Sequence, residues 1–235
     1  MKVYPVVHIN HDPSVAPVQA NKAFELGADG IYLIDHMDVD PSILFHTFNQ
    51  INKDHSDDFI GVNMLGYRPS GALVTIERAL EDGELDRAPD ALWTDDIKND
   101  AQVGDAMSLK EYLTAARRVR LLGGVAFKYT RSFTEEPQAA AQEAIRMRPH
   151  VDTVVTSGAG TGLPPSVAKI RAMKNALGDE PLAVASGISL LNMHRFAGLV
   201  DEVLVASSVE TEPYSGEFDE AKLKAFIDKA HALGK

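Results

Sequence analysis

The chain contains no cysteine, so disulfide frameworks, thiolate nucleophiles and thiolate metal sites are all excluded, and any metal would need His and carboxylate ligands. No apolar run approaches the roughly 18 residues of a membrane span, and Met1-Lys2-Val3-Tyr4-Pro5 lacks the apolar centre of a signal peptide. A cytoplasmic protein without a membrane span is expected. Positive charge is scarce: 23 Lys and Arg against 34 Asp and Glu leave a net charge of −11. That balance argues against nucleic acid as a partner and requires any bound phosphate to find a local positive field. Three nucleotide and hydrolase signatures are also missing. The first turn, Asn10-His11-Asp12-Pro13, has no Gly-rich dinucleotide fingerprint, there is no Gly-x-Ser-x-Gly elbow, and the turn from Ser157 to Gly162 lacks the Lys-Ser/Thr ending of a P-loop.

What remains is an ordinary globular composition, 45% hydrophobic and 24% charged, which supports a substantial core. Strand-like apolar runs alternate with helix-like segments eight times without a linker, the pattern of a parallel sheet with crossover helices. The expectation is an α/β fold, a single (β/α)8 TIM barrel forming one domain over residues 1–235. Strands are expected at residues 3–9, 30–34, 59–64, 91–94, 125–129, 151–156, 182–185 and 202–206. Asp12 or Ser14 can cap a first helix that Gly27 ends. Ser108-Leu109-Lys110-Glu111 reads as a capping box opening a helix with Arg117, Arg118 and Arg120 near its end, stopped by Gly123-Gly124. A helix is also expected over 192–199, and the long 97–107 connection suits a lid or contact role.

In such a barrel the residues at the C-terminal ends of the strands share one face, where active sites sit. His8, Asp35, Asn63, Asp95, Asp96, Lys128, Ser157, Ser186 and Ser207 fall there. Lys128, inside an otherwise apolar run, is costly unless paired, so it is expected to point inward and meet an anion or an Asp. Neighbouring acids favour an electrostatic role over a Schiff base. Asp35, Asp95 and Asp96 could move protons or hold a hard cation such as Mg2+, although Asp after a strand equally often caps the next helix. Asp95 and Asp96 alternate in direction, so one of them faces the bowl. His8 and His36 could join a carboxylate metal site, but no spaced His/Asp cluster supports one, and no metal or required cofactor is assigned. The runs Val184 to Ser189 and Val205 to Ser208 end in small residues with free backbone N–H groups. At barrel spacing these make Ser186, Gly187, Ser207 and Ser208 a phosphate cradle, completed by the following helix N-terminus. Gly158 and Gly160 would bring backbone to the same ligand, with Arg68 and Ser157 nearby.

The stretch Thr156-Ser157-Gly158-Ala159-Gly160-Thr161-Gly162-Leu163-Pro164-Pro165 resembles the signature of the BtpA (BtpA/SgcQ) family. Val7-His8, Gly61-Val62-Asn63, Thr94-Asp95, Lys128, Ser186-Gly187-Ile188 and Ser207-Ser208 match further family motifs in order. The resemblance implies a phosphate-binding TIM barrel similar to those of tryptophan biosynthesis and thiamine phosphate metabolism, in a family linked to photosystem I biogenesis and sugar metabolism. Two positions depart from the family: Val209-Glu210 stands where a basic residue is common, and Asp35-His36 where Glu-Asn is usual. The expected function is an enzyme acting on a sugar phosphate or a phosphoribosyl or nucleotide-like compound by isomerase, lyase or glycosidic chemistry. Lys128 would stabilise negative charge, Asp35 or Asp95 would move a proton, and Asn63 would orient the substrate. The alternative is a non-catalytic metabolite-binding or assembly factor of the BtpA type. Either is compatible with a homo-oligomer.

Overall fold

Eight parallel strands pair in chain order and close, the last on the first, in a computed structural model that describes residues 1–9, 14–36, 40–98 and 106–234. They are β1 (Lys2–Ile9), β2 (Ile31–Asp35), β3 (Ile60–Asn63), β4 (Ala91–Thr94), β5 (Arg120–Gly124), β6 (Thr153–Thr156), β7 (Leu182–Ala185) and β8 (Glu202–Val205). Among the described residues the helices are α1 (Val15–Glu25), α2 (Ser42–Asp54), α3 (Pro69–Glu81), the short α4 (Ala106–Leu109), α5 (Pro137–Met147), α6 (Val167–Leu177) and α7 (Glu220–Leu233). Their apolar faces pack on the outward strand residues in one continuous cluster, so both faces of each strand are buried. The chain is a (β/α)8 barrel, as its alternation of runs implies. Among the described residues no helix is long and apolar enough to cross a membrane.

The barrel interior is a separate cluster that includes Tyr4, Val6, Tyr32, Ile34, Trp93, Phe127 and Leu204. Tyr4, Tyr32, Trp93 and Phe127 form a chain of edge-to-face contacts with centroids 5.6, 6.1 and 6.1 Å apart, the geometry favoured by ring quadrupoles. Gly61 makes room for this chain, because a Cβ there would lie 2.3 Å from the Tyr32 ring. Beside Tyr4 and Tyr32, the Arg120 guanidinium bonds the Glu202 carboxylate and the Thr153 hydroxyl. These residues open β5, β8 and β6 and place an ion pair at the barrel's N-terminal end.

Three expected elements are displaced. The fifth strand lies at Arg120–Gly124 instead of 125–129, and Ala126 and Tyr129 adopt φ of +48° and +63°, which no strand allows. Gly123 and Gly124, read as a helix stop, are strand residues: a Cβ on Gly124 would lie 1.9 Å from the Asp95 carbonyl oxygen. The helix expected from Ser108 ends at Leu109, and the backbone N–H groups of Thr114, Ala115 and Ala116 instead donate to the Glu77 carboxylate of α3 at 2.7–3.1 Å. Burial pushes the Glu77 carboxyl up, but these donors outweigh it and hold the group below the usual carboxylate range. The expected 192–199 helix is one short 3-10 segment, Met193–Phe196. Ser14 stands at the N-cap of α1 and Gly27 closes it with φ +89°. The alternative cap Asp12, and residues 99–105 of the 97–107 connection, lie outside the described residues.

Candidate active site

A cavity of about 670 Å3 opens at the C-terminal ends of the strands, within the range of about 300–1,000 Å3 typical of small-molecule sites. Its floor is the upper layer of the barrel interior: Val6, Ile34, Trp93, Ala185 and Leu204. Its walls come from the loops after β3 to β8 together with His8 and His36.

On the β7–β8 side the chain turns twice. Ser186 and Gly187 follow β7 with φ of +88° and +78°, and a Cβ on Gly187 would lie 2.2 Å from the backbone nitrogen of Pro164. Only glycine allows that approach. The Asn192 side chain donates to the Gly187 carbonyl (2.8 Å) and accepts from the Ser189 N–H (2.9 Å), fixing the first turn. The Ser208 hydroxyl donates to the Ile188 carbonyl (2.8 Å), which joins the second turn to the first. Among the described residues none accepts from the N–H groups of Gly187, Ile188, Ser207 or Ser208, and the turns that carry them border the cavity. Among the described residues no α-helix N-terminus follows the second turn directly, because α7 begins only at Glu220. Glu210 also borders the cavity, but its carboxylate accepts from the Tyr214 N–H at 2.7 Å and from the backbone of Ser215 and Gly216. Burial raises its pKa and these bonds oppose the rise. The carboxylate at the family's basic position is therefore engaged by its own loop.

The same cavity is lined by Lys128, Asp95, His8 and His36. Lys128 is in the loop beyond β5 and not in the strand, yet its amine reaches the cavity rim, donating to the Thr161 hydroxyl at 3.1 Å. Burial lowers its pKa and the Asp95 charge opposes the shift. Asp95 is raised by burial, against the Asn63 hydrogen bond and the Lys128 charge. The imidazoles of His8 and His36 stack with centroids 5.1 Å apart. Burial, then the neighbouring His36 and Lys128, pushes His8 down to about 4, so it is neutral at physiological pH.

The sequence matches the BtpA family over residues 50–232. The chain belongs to the BtpA family. A search of curated proteins finds no match. Among solved structures, phosphoribosyl anthranilate isomerase from Thermus thermophilus aligns at a TM-score of 0.63 and 15% identity, over 99% of this chain and 100% of the other. The native KDPGal structure gives 0.68 and 12%, over 99% and 96%. Tryptophan synthase alpha chain from Legionella pneumophila subsp. pneumophila gives 0.65 and 16%, over 100% and 93%. At these identities the likeness is one of fold.

In this BtpA-family barrel several expected site residues stand apart from the cavity. Asp35 follows Ile34, which faces the floor, so its side chain points the other way and lies with Asp40, Leu44 and Tyr67. Asn63 is buried and donates to Asp95 at 3.3 Å, so it orients that acid and does not border the cavity. Asp96 accepts from the Lys98 N–H (3.0 Å), leaving Asp95 as the acid that faces inward. Arg68 is the N-cap residue of α3 and lies outside the cavity lining. Ser157 is fully buried, accepting from the Lys128 N–H (2.8 Å) and donating to the Gly158 carbonyl (3.0 Å). Gly158 packs against its own loop, where a Cβ would lie 2.2 Å from the Leu163 oxygen, and Gly160 accepts from Ser186; Thr161, Gly162 and Pro164 are the residues of that loop that reach the cavity. Among the described residues no group of three or more His, Asp or Glu could hold a metal ion.

Lys169 is the residue the sequence reading missed. Fully buried on α6, its amine donates to the carbonyls of Ala126 (2.9 Å) and Ser157 (2.8 Å) and faces Glu135 at 3.5 Å. It thereby ties the Lys128 loop to the Gly-rich loop. Its signal was positional, since it heads the buried stripe continued by Met173 and Leu177 at a spacing of one helical turn. Lys169→Met takes the amine donor from both carbonyls, leaving Ala126 with only the Thr156 hydroxyl at 3.4 Å, and is expected to lower the unfolding free energy in urea by about 2 kcal/mol. An unchanged midpoint and slope would show that the amine ties nothing.

Proposed function

We propose that this BtpA-family chain is an enzyme acting on a small phosphorylated metabolite by proton-transfer chemistry of the isomerase, lyase or glycosidic type. The observation that carries the reading is the pair of turns joined by the Ser208–Ile188 bond, which border one cavity and whose N–H groups at Gly187, Ile188, Ser207 and Ser208 have no acceptor among the described residues. Backbone donors held in this way suit a phosphate, since no side chain keeps the anion at a distance. In the same cavity, Asp95 is the group to move a proton and Lys128 the group to stabilise negative charge as it develops. Asn63 positions Asp95 through its 3.3 Å hydrogen bond. Phosphoribosyl anthranilate isomerase and tryptophan synthase alpha chain, which share the fold, support an enzyme on this scaffold.

The test is stability against phosphate ligands. Phosphomonoesters at a hundred times their dissociation constant are expected to raise the unfolding free energy by about 2.7 kcal/mol, read as a thermal shift. Gly187→Ala, whose methyl group would meet Pro164, is expected to remove the shift while the protein remains folded. If no phosphate compound shifts the transition, or if the alanine variant responds as the parent does, the cradle is not a phosphate site.

A further inference from the structure

The cavity, about 670 Å3, is much larger than a phosphate, and its floor is hydrocarbon. Many of the polar side chains on its wall are already bonded within the protein. Ser186 accepts from the Gly162 N–H (3.0 Å), Asn192 and Ser208 hold the cradle turns, Glu210 holds its loop, and Thr161 takes both the Lys128 amine and the Tyr129 hydroxyl. Lys128, Asp95, His8 and His36 line the same cavity and lie close enough to act on one another's charge. The apolar lining includes Leu65 together with Val6, Ile34, Trp93 and Leu204, which belong to the buried interior of the barrel and form the floor. His8 and His36 present stacked rings beside it. At the mouth, Tyr129 and Tyr214 occupy left-handed backbone with φ of +63° and +69° and remain largely exposed. Both lean on one turn, with the Tyr129 hydroxyl 3.1 Å from the Thr161 nitrogen and the Tyr214 hydroxyl beside Gly162. Non-glycine residues held in that conformation cluster at ligand clamps.

A compound with a hydroxyl on every carbon would press most of them against this floor without partners, an expensive loss of hydration. We infer that the phosphorylated ligand carries a flat apolar or aromatic body, which lies on the Val6–Ile34–Trp93–Leu204 floor beneath Tyr129 and Tyr214, with its phosphate in the cradle. The inference rests on the phosphate reading above and narrows it, favouring a phosphoester with a ring-bearing substituent over a simple sugar phosphate. The polar group of such a ligand, between ring and phosphate, meets Asp95 and Lys128.

The chain carries its own reporter, because Trp93 is its single tryptophan. Four probes are titrated into the intact protein by calorimetry and by tryptophan emission: inorganic phosphate, ribose 5-phosphate, 3-phenylpropyl phosphate and 3-phenylpropanol. The expected result is binding of 3-phenylpropyl phosphate roughly tenfold tighter than ribose 5-phosphate, with a change in emission that inorganic phosphate does not cause. Val6→Thr, which keeps the side-chain shape but puts a hydroxyl into the floor, should reduce that preference severalfold and leave inorganic phosphate binding unchanged. Equal or tighter binding of ribose 5-phosphate overturns the assignment of the body while leaving the cradle intact. Binding of 3-phenylpropanol as tightly as its phosphate overturns the cradle, and failure of all four probes to bind overturns both.

Discussion

Asp95→Asn is expected to lower kcat/KM for the phosphorylated substrate by about 10²–10⁴-fold, the usual contribution of a positioned general acid or base, while phosphate affinity at the cradle stays close to that of the parent. The amide keeps the shape and a partner for Asn63 but cannot carry the proton. Because burial raises the Asp95 pKa, the acid limb of the kcat/KM profile should lie above the ordinary carboxylate range and should vanish in the variant. For a group that works as a base, activity is present above that raised pKa and is lost as pH falls through it. A profile that keeps its acid limb, or a cellular function indifferent to loss of the Asp95 and Lys128 charges, would favour the non-catalytic binder.

Glu202→Ala should produce the largest loss of stability, about 3 kcal/mol, because it leaves the Arg120 guanidinium inside the barrel without its counter-charge. Glu202 is 4% exposed, and Arg120 has Thr153 as its remaining acceptor. Urea unfolding measures the effect directly. The double variant Arg120→Met with Glu202→Leu is expected to recover most of the loss, since both charges then leave the interior together. If the single variant is as stable as the parent, the ion pair adds nothing that water could not supply.

The barrel was legible in the sequence because its signal is repeated: eight apolar runs, each followed by a helical segment, leave little freedom in topology once the chain must bury both faces of every strand. The two turns at the cavity, proposed to be the cradle, were legible for a similar reason, since small residues at the ends of two successive strands can be placed without knowing any side-chain direction. Lys128 borders the cavity as its sequence position suggests, but the local grounds were incorrect, since it lies in the loop beyond β5 and not in the strand. Gly123-Gly124 looked like a helix stop, and only the packing of Asp95 against Gly124 shows why a strand needs glycines there. Asp35 and Asn63 were assigned to the cavity by their strand-end positions, but one turns outward and the other is spent on Asp95. Direction at a strand end depends on register, which a single sequence reports poorly. Glu77 and Lys169 are long-range partners of loop backbone, and no local pattern announces which distant N–H or carbonyl group a charged helix residue will meet.

The bare α-carbon at Gly124 separates two tasks that enzymes often entangle. The main chain of the neighbouring strand abuts Asp95, so the stance of the carboxyl is inherited from the scaffold and owes little to the loops above it. If Asp95 moves the proton as proposed, the surrounding segments can be exchanged for others of different length and taste for ligands while that group stays where it was, and selectivity is free to diversify around an anchored acid.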